Sequence, residues 1–233
     1  MKFGVITFPG SNCDHDALWA ASHVGTSQTL WHKDEAIPSD VECVIIPGGF
    51  SYGDYLRCGA VARFSPIMKD VFRFAERGGT IIGICNGFQI LTEAGLLPGV
   101  LLRNDTMSFV CKDVYLKTEN CNTTFTNSIK PDSVLRVPIA HGEGNYYAEA
   151  ETIARLEAEN RIIFRYAAPD GIVSRRANPN GSINNIAGII NERGNILGMM
   201  PHPERYSDAR LGCDDGLSVF ASIARALQQA VFR

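Results

Sequence analysis

The sequence lacks several features that would point to membranes, nucleotides or nucleic acid. It has no apolar run long enough to span a bilayer, and its first residues do not have the layout of a signal peptide. It contains no Walker A loop and no glycine-rich dinucleotide motif after a strand, so we expect no cofactor on this chain. The formal net charge is −3 without any long basic run, which argues against nucleic acid or an anionic membrane as the partner.

Cysteine pairs with metal-site spacing are also absent. The seven cysteines are scattered, odd in number and without a C-x-x-C motif. This pattern favours free thiols in a reducing cytoplasm and predicts no metal site. A chain of 233 residues can bury a core without a disulfide. Because we find no repeats, low-complexity tract or linker, we predict one domain over residues 1–233.

The order of predicted elements in the first third indicates an α/β fold. Strands over Lys2–Phe8, Val41–Ile46 and Thr80–Ile84 alternate with helices over Asp14–His23 and Pro66–Arg77. Such alternation predicts an open, mostly parallel sheet with helices on both faces. Ligands of these sheets bind beyond the carboxyl ends of the strands, so the residues that follow each strand are candidates for a site.

The rest of the chain is richer in strands and predicts additional antiparallel β elements. Alternating patterns favour strands over Ser108–Leu116, Val134–Ile139 and Arg161–Tyr166. A hairpin is predicted between Ile186–Ile190 and Asn195–Met199. Helices are predicted over Tyr147–Glu159 and Gly216–Val231.

One cysteine has the surroundings of an activated nucleophile. Cys85 follows the strand Thr80–Ile84 and precedes a predicted helix that begins at Asn86, with Gly83 and Gly87 two residues to either side. This is the cysteine version of the G-x-nucleophile-x-G elbow, whose tight turn leaves no room for flanking side chains. The helix N-terminus favours the thiolate. A buried cysteine at a strand end is the plainer interpretation, and the two glycines weigh against it.

A thiolate nucleophile needs a base, and the base needs a group that orients it. His202 follows a predicted strand, and Pro203 favours an extended conformation for it. Residues two apart in an extended segment point the same way, so Glu204 can hold one ring nitrogen while the other faces Cys85. A surface ion pair is the alternative for an isolated His-Pro-Glu, but the elbow favours a catalytic pair.

Acyl transfer also requires hydrogen-bond donors for the oxyanion. Gly48 and Gly49 follow a predicted strand and offer unobstructed N–H groups. The N–H of Asn86, the residue after the nucleophile, is a further candidate. Taken alone, the two glycines are better explained as an ordinary tight turn.

Together these segments resemble a known family. Gly83–Gln89 is similar to the nucleophile motif of the class I, triad-type glutamine amidotransferases, Pro47–Gly49 to their oxyanion strand, and His202–Glu204 to the completion of their triad. The three occur in the family's order. The resemblance implies a flavodoxin-like fold and a Cys-His-Glu triad without a metal.

Longer sequence segments narrow the resemblance to one group within that family. Phe8–Asp14, Pro47–Arg57, Cys85–Leu97 and Ala140–Gly144 resemble the glutaminase subunits of phosphoribosylformylglycinamidine synthase. The resemblance runs from the first strand to about Arg205.

The resemblance implies a division of labour between two chains. Cys85 would attack the side-chain amide of L-glutamine, His202 would move the proton, and Gln89 would help to hold the substrate's α-amino or carboxylate group. Ammonia would pass to a large synthetase subunit, which carries ATP and Mg and makes formylglycinamidine ribonucleotide from formylglycinamide ribonucleotide in purine biosynthesis. A small accessory subunit often completes such complexes.

Two other functions stay open on the sequence alone. One is a free-standing γ-glutamyl hydrolase or peptidase with the same triad, and the other is an interaction module without catalysis. His141 is expected to border the glutamine pocket, to contact the synthetase or to be a satisfied turn histidine. Cys13 is expected to be structural or part of a partner interface, and Asp54 and Arg57 to pair or to contact glutamine. Cys43 is expected in the core and Cys58 as a packing residue, whereas Trp19 and Trp31 are expected to be core or packing residues.

Overall fold

A nine-stranded sheet dominates the fold of residues 1–231, which a computed structural model describes. A separate two-stranded sheet accompanies it. The strands are β1 (Lys2–Thr7), β2 (Thr26–Trp31), β3 (Cys43–Ile46), β4 (Thr80–Ile84), β5 (Val100–Leu102), β6 (Val110–Thr118), β7 (Val134–His141), β8 (Asn145–Tyr147), β9 (Ile162–Ala167), β10 (Ile186–Ile190) and β11 (Ile196–Met199).

The large sheet has the order β2-β1-β3-β4-β11-β10-β9-β6-β7. Its first five strands are parallel, and the remaining pairings are antiparallel. Because each antiparallel pairing reverses the strand direction, only β10 and β6 run opposite to the other seven strands of this sheet. The predicted α/β fold with a mostly parallel sheet is confirmed. The predicted antiparallel elements extend this same sheet.

Burial patterns explain why the two halves differ. Every residue of β3, β4 and β11 is buried, as expected for central parallel strands covered on both faces. In β7, buried and half-buried residues alternate along the whole strand, which is typical of a strand with one covered face. Buried apolar side chains from both halves form one hydrophobic cluster. The single domain remains a prediction.

Within residues 1–231 five α-helices accompany the sheet, and most lie where the sequence predicts them. The exception is the helix expected over Tyr147–Glu159, which begins only at Ala150 because Asn145–Tyr147 pairs with β5 as a strand. No helix within residues 1–231 is long and apolar enough to cross a membrane. The helices are α1 (Asp14–Ser22), α2 (Pro66–Glu76), α3 (Asn86–Glu93), α4 (Ala150–Ala158) and α5 (Leu217–Val231).

The two tryptophans do not lie in the interior. Trp19 is 49% exposed and Trp31 is 59% exposed, so neither belongs to the core, and only packing at the surface is left of the two expectations. Trp31 ends β2, which is an edge strand, and Trp19 lies on α1 against His23 and the guanidinium of Arg210. Each site leaves one face of the ring toward the surface.

The sheet curls so that its last strand returns to the carboxyl ends of the central strands. The N–H of His202, just after β11, donates to the carbonyl of Pro138 in β7 at 2.8 Å. The Cys85 sulfur at the end of β4 lies 3.7 Å from the carbonyl oxygen of Ala140 in β7. The far edge of the sheet therefore contributes a wall beside the predicted nucleophile.

Candidate active site

Cys85 occupies a strained turn between β4 and α3. Its φ of 51° and ψ of −105° lie in a region that residues other than glycine rarely adopt. A Cβ on Gly83 would lie 2.6 Å from the carbonyl oxygen of Gly87, and one on Gly87 would run into the carbonyl oxygen of Ile46. The predicted collisions are therefore present. That at Gly87 involves the neighbouring strand β3 rather than the turn itself.

His202 and Glu204 form a buried pair. The His202 Nδ1 lies 2.6 Å from the Glu204 Oε1, and each residue is only 1% exposed. The backbone between the two residues is not the extended segment that the sequence predicts, because Glu204 lies in a short 3-10 helix over Pro203–Tyr206. An Nδ1–H that donates to the carboxylate leaves Nε2 as the nitrogen available to Cys85. Within residues 1–231 the buried Nε2 has no hydrogen-bond partner.

The surroundings of His202 favour its protonated form. Burial lowers the pKa of His202, but the charges of Glu204 and Cys85 outweigh it and hold this pKa well above its ordinary value. An imidazole that keeps its proton near neutral pH can stabilise a neighbouring thiolate and protonate a leaving group.

The two glycines after β3 pack between the His202 ring and the loop that follows β1. A Cβ on Gly48 would be 2.7 Å from the Cε1 of His202, so the ring packs directly on this backbone. Gly49 has a φ of 141°, and a Cβ there would lie 2.8 Å from the Cα of Ser11. In the described part of the chain, no hydrogen bond occupies the N–H of Gly49 or of Asn86. Two of the three predicted oxyanion donors, those of Gly49 and Asn86, are therefore free.

A cavity of about 370 Å³ opens beside the nucleophile. Of the predicted site residues, Gly49, Cys85 and Gln89 line it, whereas His202 and Glu204 do not. Cys58, expected to be a packing residue, is half-buried and lines the cavity. The other lining residues are Phe50, Asp54, Arg103, Met107, Ser108, Phe109, Ala140, His141, Gly142 and Glu143.

Two side chains in the first turn of α3 make hydrogen bonds to two loops beside the cavity. The Gln89 Nε2 donates to the carbonyl of Glu143 at 2.6 Å, and its Oε1 accepts from the Asn86 Nδ2 at 2.9 Å. The Asn86 Oδ1 accepts from the N–H of Ser51 at 3.1 Å. Gln89 is buried, so it is not a solvent-exposed residue of the helix. The sequence predicted a role for the Asn86 backbone and missed that of its side chain.

Charged side chains of both signs face the cavity. The Arg103 Nε lies 3.8 Å from the Glu143 Oε1. Burial and the charge of Glu143 raise the pKa of Asp54. Arg57 pairs with Glu93 at 2.7 Å and not with Asp54. No pattern in the sequence indicated Arg103 or Glu143, although Glu143 belongs to the Ala140–Gly144 segment.

A buried hydrogen-bond network holds the end of β7. The side-chain oxygen of Asn104 faces the His141 Nδ1 at 3.1 Å and accepts from the N–H of Gly144 at 3.0 Å, while its Nδ2 donates to the His141 carbonyl at 2.9 Å. Burial and the charge of His202 lower the pKa of His141 to about 4. His141 is therefore a neutral, satisfied histidine at the cavity wall. The sequence offered no signal for Asn104.

Comparisons with known proteins agree with this geometry. Residues 1–211 match the family described as the CobB/CobQ-like glutamine amidotransferase domain. The PurQ subunit of phosphoribosylformylglycinamidine synthase from Moorella thermoacetica is 59% identical over 225 residues, covering 96% of this chain and 95% of that protein. The PurQ subunit from Salinibacter ruber is 57% identical over 224 residues, covering 95% of each.

A solved structure is similar over the same length. In the structure of PurLQS from Thermotoga maritima, one chain is 43% identical and has a TM-score of 0.86, covering 97% of this chain and 98% of that one. The chain described here therefore belongs to the CobB/CobQ-like glutamine amidotransferase family, in the group of the PurQ subunits.

Proposed function

We propose that this chain hydrolyses L-glutamine to glutamate and ammonia and delivers the ammonia to a synthetase subunit. That subunit would convert formylglycinamide ribonucleotide to formylglycinamidine ribonucleotide with ATP in purine biosynthesis, the reaction for which the relatives are named. The observation that carries the hydrolytic part is the Cys85 elbow at the cavity wall, backed by the buried His202–Glu204 pair.

In the first half-reaction, the Cys85 thiolate attacks the carbonyl carbon of the glutamine side-chain amide. The free N–H groups of Gly49 and Asn86 stabilise the negative charge that develops on the amide oxygen. Protonated His202 then gives its Nε2 proton to the amide nitrogen, the carbon–nitrogen bond breaks, and ammonia leaves a glutamyl thioester on Cys85.

In the second half-reaction, water hydrolyses the thioester. Neutral His202 takes a proton from the water as its oxygen attacks the thioester carbon. The carbon–sulfur bond breaks, which releases glutamate and regenerates the Cys85 thiolate beside protonated His202. Throughout the cycle the Glu204 carboxylate accepts from Nδ1 and so keeps Nε2 directed at the chemistry.

The charges of the cavity suit the two ends of an amino acid. We assign the ammonium of glutamine to the carboxylates of Asp54 and Glu143, and its carboxylate to the guanidinium of Arg103. Gln89 contributes by holding the Glu143 backbone. Because both groups of its amide already contact the protein, we give Gln89 a supporting role on the substrate.

The surface around the cavity suits a partner protein. Tyr55 and Leu56 are 77% and 89% exposed on the loop that carries Asp54, and Met107 at the cavity is 70% exposed. Exposed apolar groups clustered at one site mark an interaction surface. We propose that the synthetase subunit covers this surface, carries ATP and Mg, and is joined by a small accessory subunit in a cytoplasmic complex.

The test is ammonia release from glutamine by this chain, with and without the synthetase subunit and its nucleotide substrate. Activity should be low for the isolated chain, rise strongly in the complex and disappear in Cys85→Ala. Cys111→Ala, which removes an exposed thiol from β6, is the matched control and should behave as wild type.

Two outcomes would contradict the proposal. Ammonia release that persists in Cys85→Ala would exclude this thiol as the nucleophile. Turnover of γ-glutamyl peptides by the isolated chain, without stimulation by the synthetase, would indicate a free-standing hydrolase or peptidase.

A further inference from the structure

A second cysteine lies behind the triad. Cys13 directly precedes α1 and is only 1% exposed. Its sulfur lies 3.1 Å from the Asn12 Oδ1 and accepts from the Arg205 Nη2, also at 3.1 Å. Its backbone N–H donates to the carbonyl of Gly48 at 3.3 Å. Cys13 thus contacts both Gly48, which follows β3, and Arg205, which follows Glu204.

The thiol of Cys13 is close to the catalytic pair but not to the substrate cavity. Its sulfur, a ring nitrogen of His202 and a carboxylate oxygen of Glu204 all lie within 4.8 Å of one another. A Cβ on Gly48 would be 3.1 Å from the sulfur. Cys13 does not line the cavity beside Cys85, so it is not placed to attack a substrate held there. Burial also excludes its predicted place at an exposed partner interface.

The guanidinium of Arg205 is the charged group in contact with this thiol. It lies between the Cys13 sulfur and Asp16, whose Oδ2 is 3.5 Å from the Arg205 Nε. The Oε2 of neighbouring Glu204 is buried and has no hydrogen-bond partner within residues 1–231. A permanently charged guanidinium on the residue next to an unpaired carboxylate is attracted to it unless another acceptor holds it.

We propose that Cys13 is a positioning residue whose sulfur holds the Arg205 guanidinium away from Glu204, so that the Glu204 carboxylate serves His202. The inference rests on the proposed triad chemistry. Without the sulfur, the Arg205 Nη2 turns to the Glu204 Oε2 and neutralises part of the charge that stabilises protonated His202. Cys85 then faces a weaker cation, and its thiolate forms only at higher pH.

The other groups near His202 leave Arg205 as the deciding charge. His141 is neutral because its pKa is lowered, and Arg205 is the permanent cation of the cluster. The groups that face the imidazole are Glu204 from its own segment, Cys85 before α3, His141 from the end of β7 and Cys13 before α1, while Arg205 and Asp16 form an ion pair next to Cys13.

The experiment measures the rate at which iodoacetamide alkylates Cys85 as a function of pH, with the modified peptide identified by mass spectrometry. Cys13→Ala should raise the apparent pKa of this alkylation by about one pH unit, as expected when an opposite charge is weakened nearby. In the complex it should lower kcat for glutamine about tenfold near neutral pH, with little change in KM. The double variant Cys13→Ala/Arg205→Met should regain the wild-type profile.

Two further variants make the result specific. Cys43→Ala removes an equally buried thiol from β3 and should lower stability without moving the alkylation profile. Arg205→Met alone should keep the wild-type profile, which tests the proposal even if Cys13→Ala fails to fold.

The proposal is overturned if the profile of Cys13→Ala is unchanged, or if removing Arg205 does not restore it. A shifted profile in Arg205→Met would also overturn it, since Arg205 would then support the triad. The alkylation assay needs no glutamine, so its result stands apart from the proposed function. A wild-type chain that releases no ammonia would count against glutaminase activity while leaving the charge arrangement intact.

Discussion

At the scale of single residues, the site depends on how closely the His202 ring packs on the backbone of Gly48. The sequence suggested this glycine for its exposed N–H, and the structure adds a second reason. A methyl group there would lie 2.7 Å from the ring Cε1, a distance at which the ring must move. The same glycine contacts Cys13 and therefore links the base to the loop before α1.

We therefore expect Gly48→Ala to lower kcat for glutamine by about a hundredfold, because a misplacement of about 1 Å in a catalytic group can cost that much. Gly194→Ala is the control. Gly194 has a φ of 70° with open space around its Cβ position, so its variant should lose about 1 kcal/mol of unfolding free energy from backbone strain and keep its kcat. Equal losses of kcat in both variants would contradict the prediction.

The Glu204 charge also predicts a pH effect at this scale. Glu204→Gln should lower the pKa of His202 by one or more pH units, because an opposite charge within hydrogen-bond distance is lost. An NMR titration of the imidazole in a Cys85→Ala background measures this change directly, and an unaltered pKa of His202 would contradict the prediction.

The raised pKa of His202 also predicts how the stability of the fold depends on pH. Because its native pKa is raised, charged His202 stabilises the fold fully below the unfolded pKa of about 6.5. This contribution is lost as the pH rises through the native pKa. The difference in unfolding free energy between wild type and Glu204→Gln should therefore be largest near pH 6 and shrink at alkaline pH.

At the scale of elements, the cavity depends on the loop that ends β7. Asn104 is fully buried, and its side chain makes four hydrogen bonds, three of them to His141 and Gly144. Asn104→Ala should cost about 2–3 kcal/mol of unfolding free energy, because several buried polar groups lose their partners. It should raise KM for glutamine, since Glu143 lies in the same loop. Urea denaturation and steady-state kinetics measure the two effects.

Asn120→Ala provides a surface control for this prediction. The Asn120 side chain makes two bonds to backbone groups at exposed positions, where water can replace them. We expect a small loss of stability and an unchanged KM. An Asn104→Ala chain with wild-type KM would show that the network stabilises the fold without shaping the cavity.

Sequence patterns recovered the longer elements and missed the shortest. Strands such as Thr80–Ile84 carry enough apolar residues to define a burial pattern. The three-residue strands β5 and β8 do not, and they form because Val100–Leu102 and Asn145–Tyr147 meet across the fold. Tyr147 therefore belongs to a strand although its local sequence favours the following helix.

At the scale of the whole molecule, the exposed apolar side chains at the cavity predict how the chain responds to its partner. Leu56 is 89% exposed and does not line the cavity. Leu56→Asp should weaken synthetase binding at least tenfold, because a charge would be buried in an apolar contact. Basal ammonia release should not change. Titration of the synthetase against ammonia release measures the apparent affinity.

Leu211→Asp is the matched control for the docking prediction. Leu211 is 56% exposed and also lies outside the cavity lining. Its variant should bind the synthetase as wild type does. If both variants lost the same affinity, the effect would come from charge in general, and if neither lost any, the synthetase would bind elsewhere.

The sequence by itself determined the features that depend on neighbouring residues. The elbow around Cys85 and the proximity of His202 to Glu204 follow from short-range geometry, and the α/β order of elements follows from hydrophobic periodicity. Tertiary structure alone decided which distant residues complete the site. Arg205 meets Cys13 across 192 positions of sequence, and Asn104 reaches His141 across 37. Such contacts arise from the curl of the sheet and the burial of polar groups that need partners, and no local pattern encodes either.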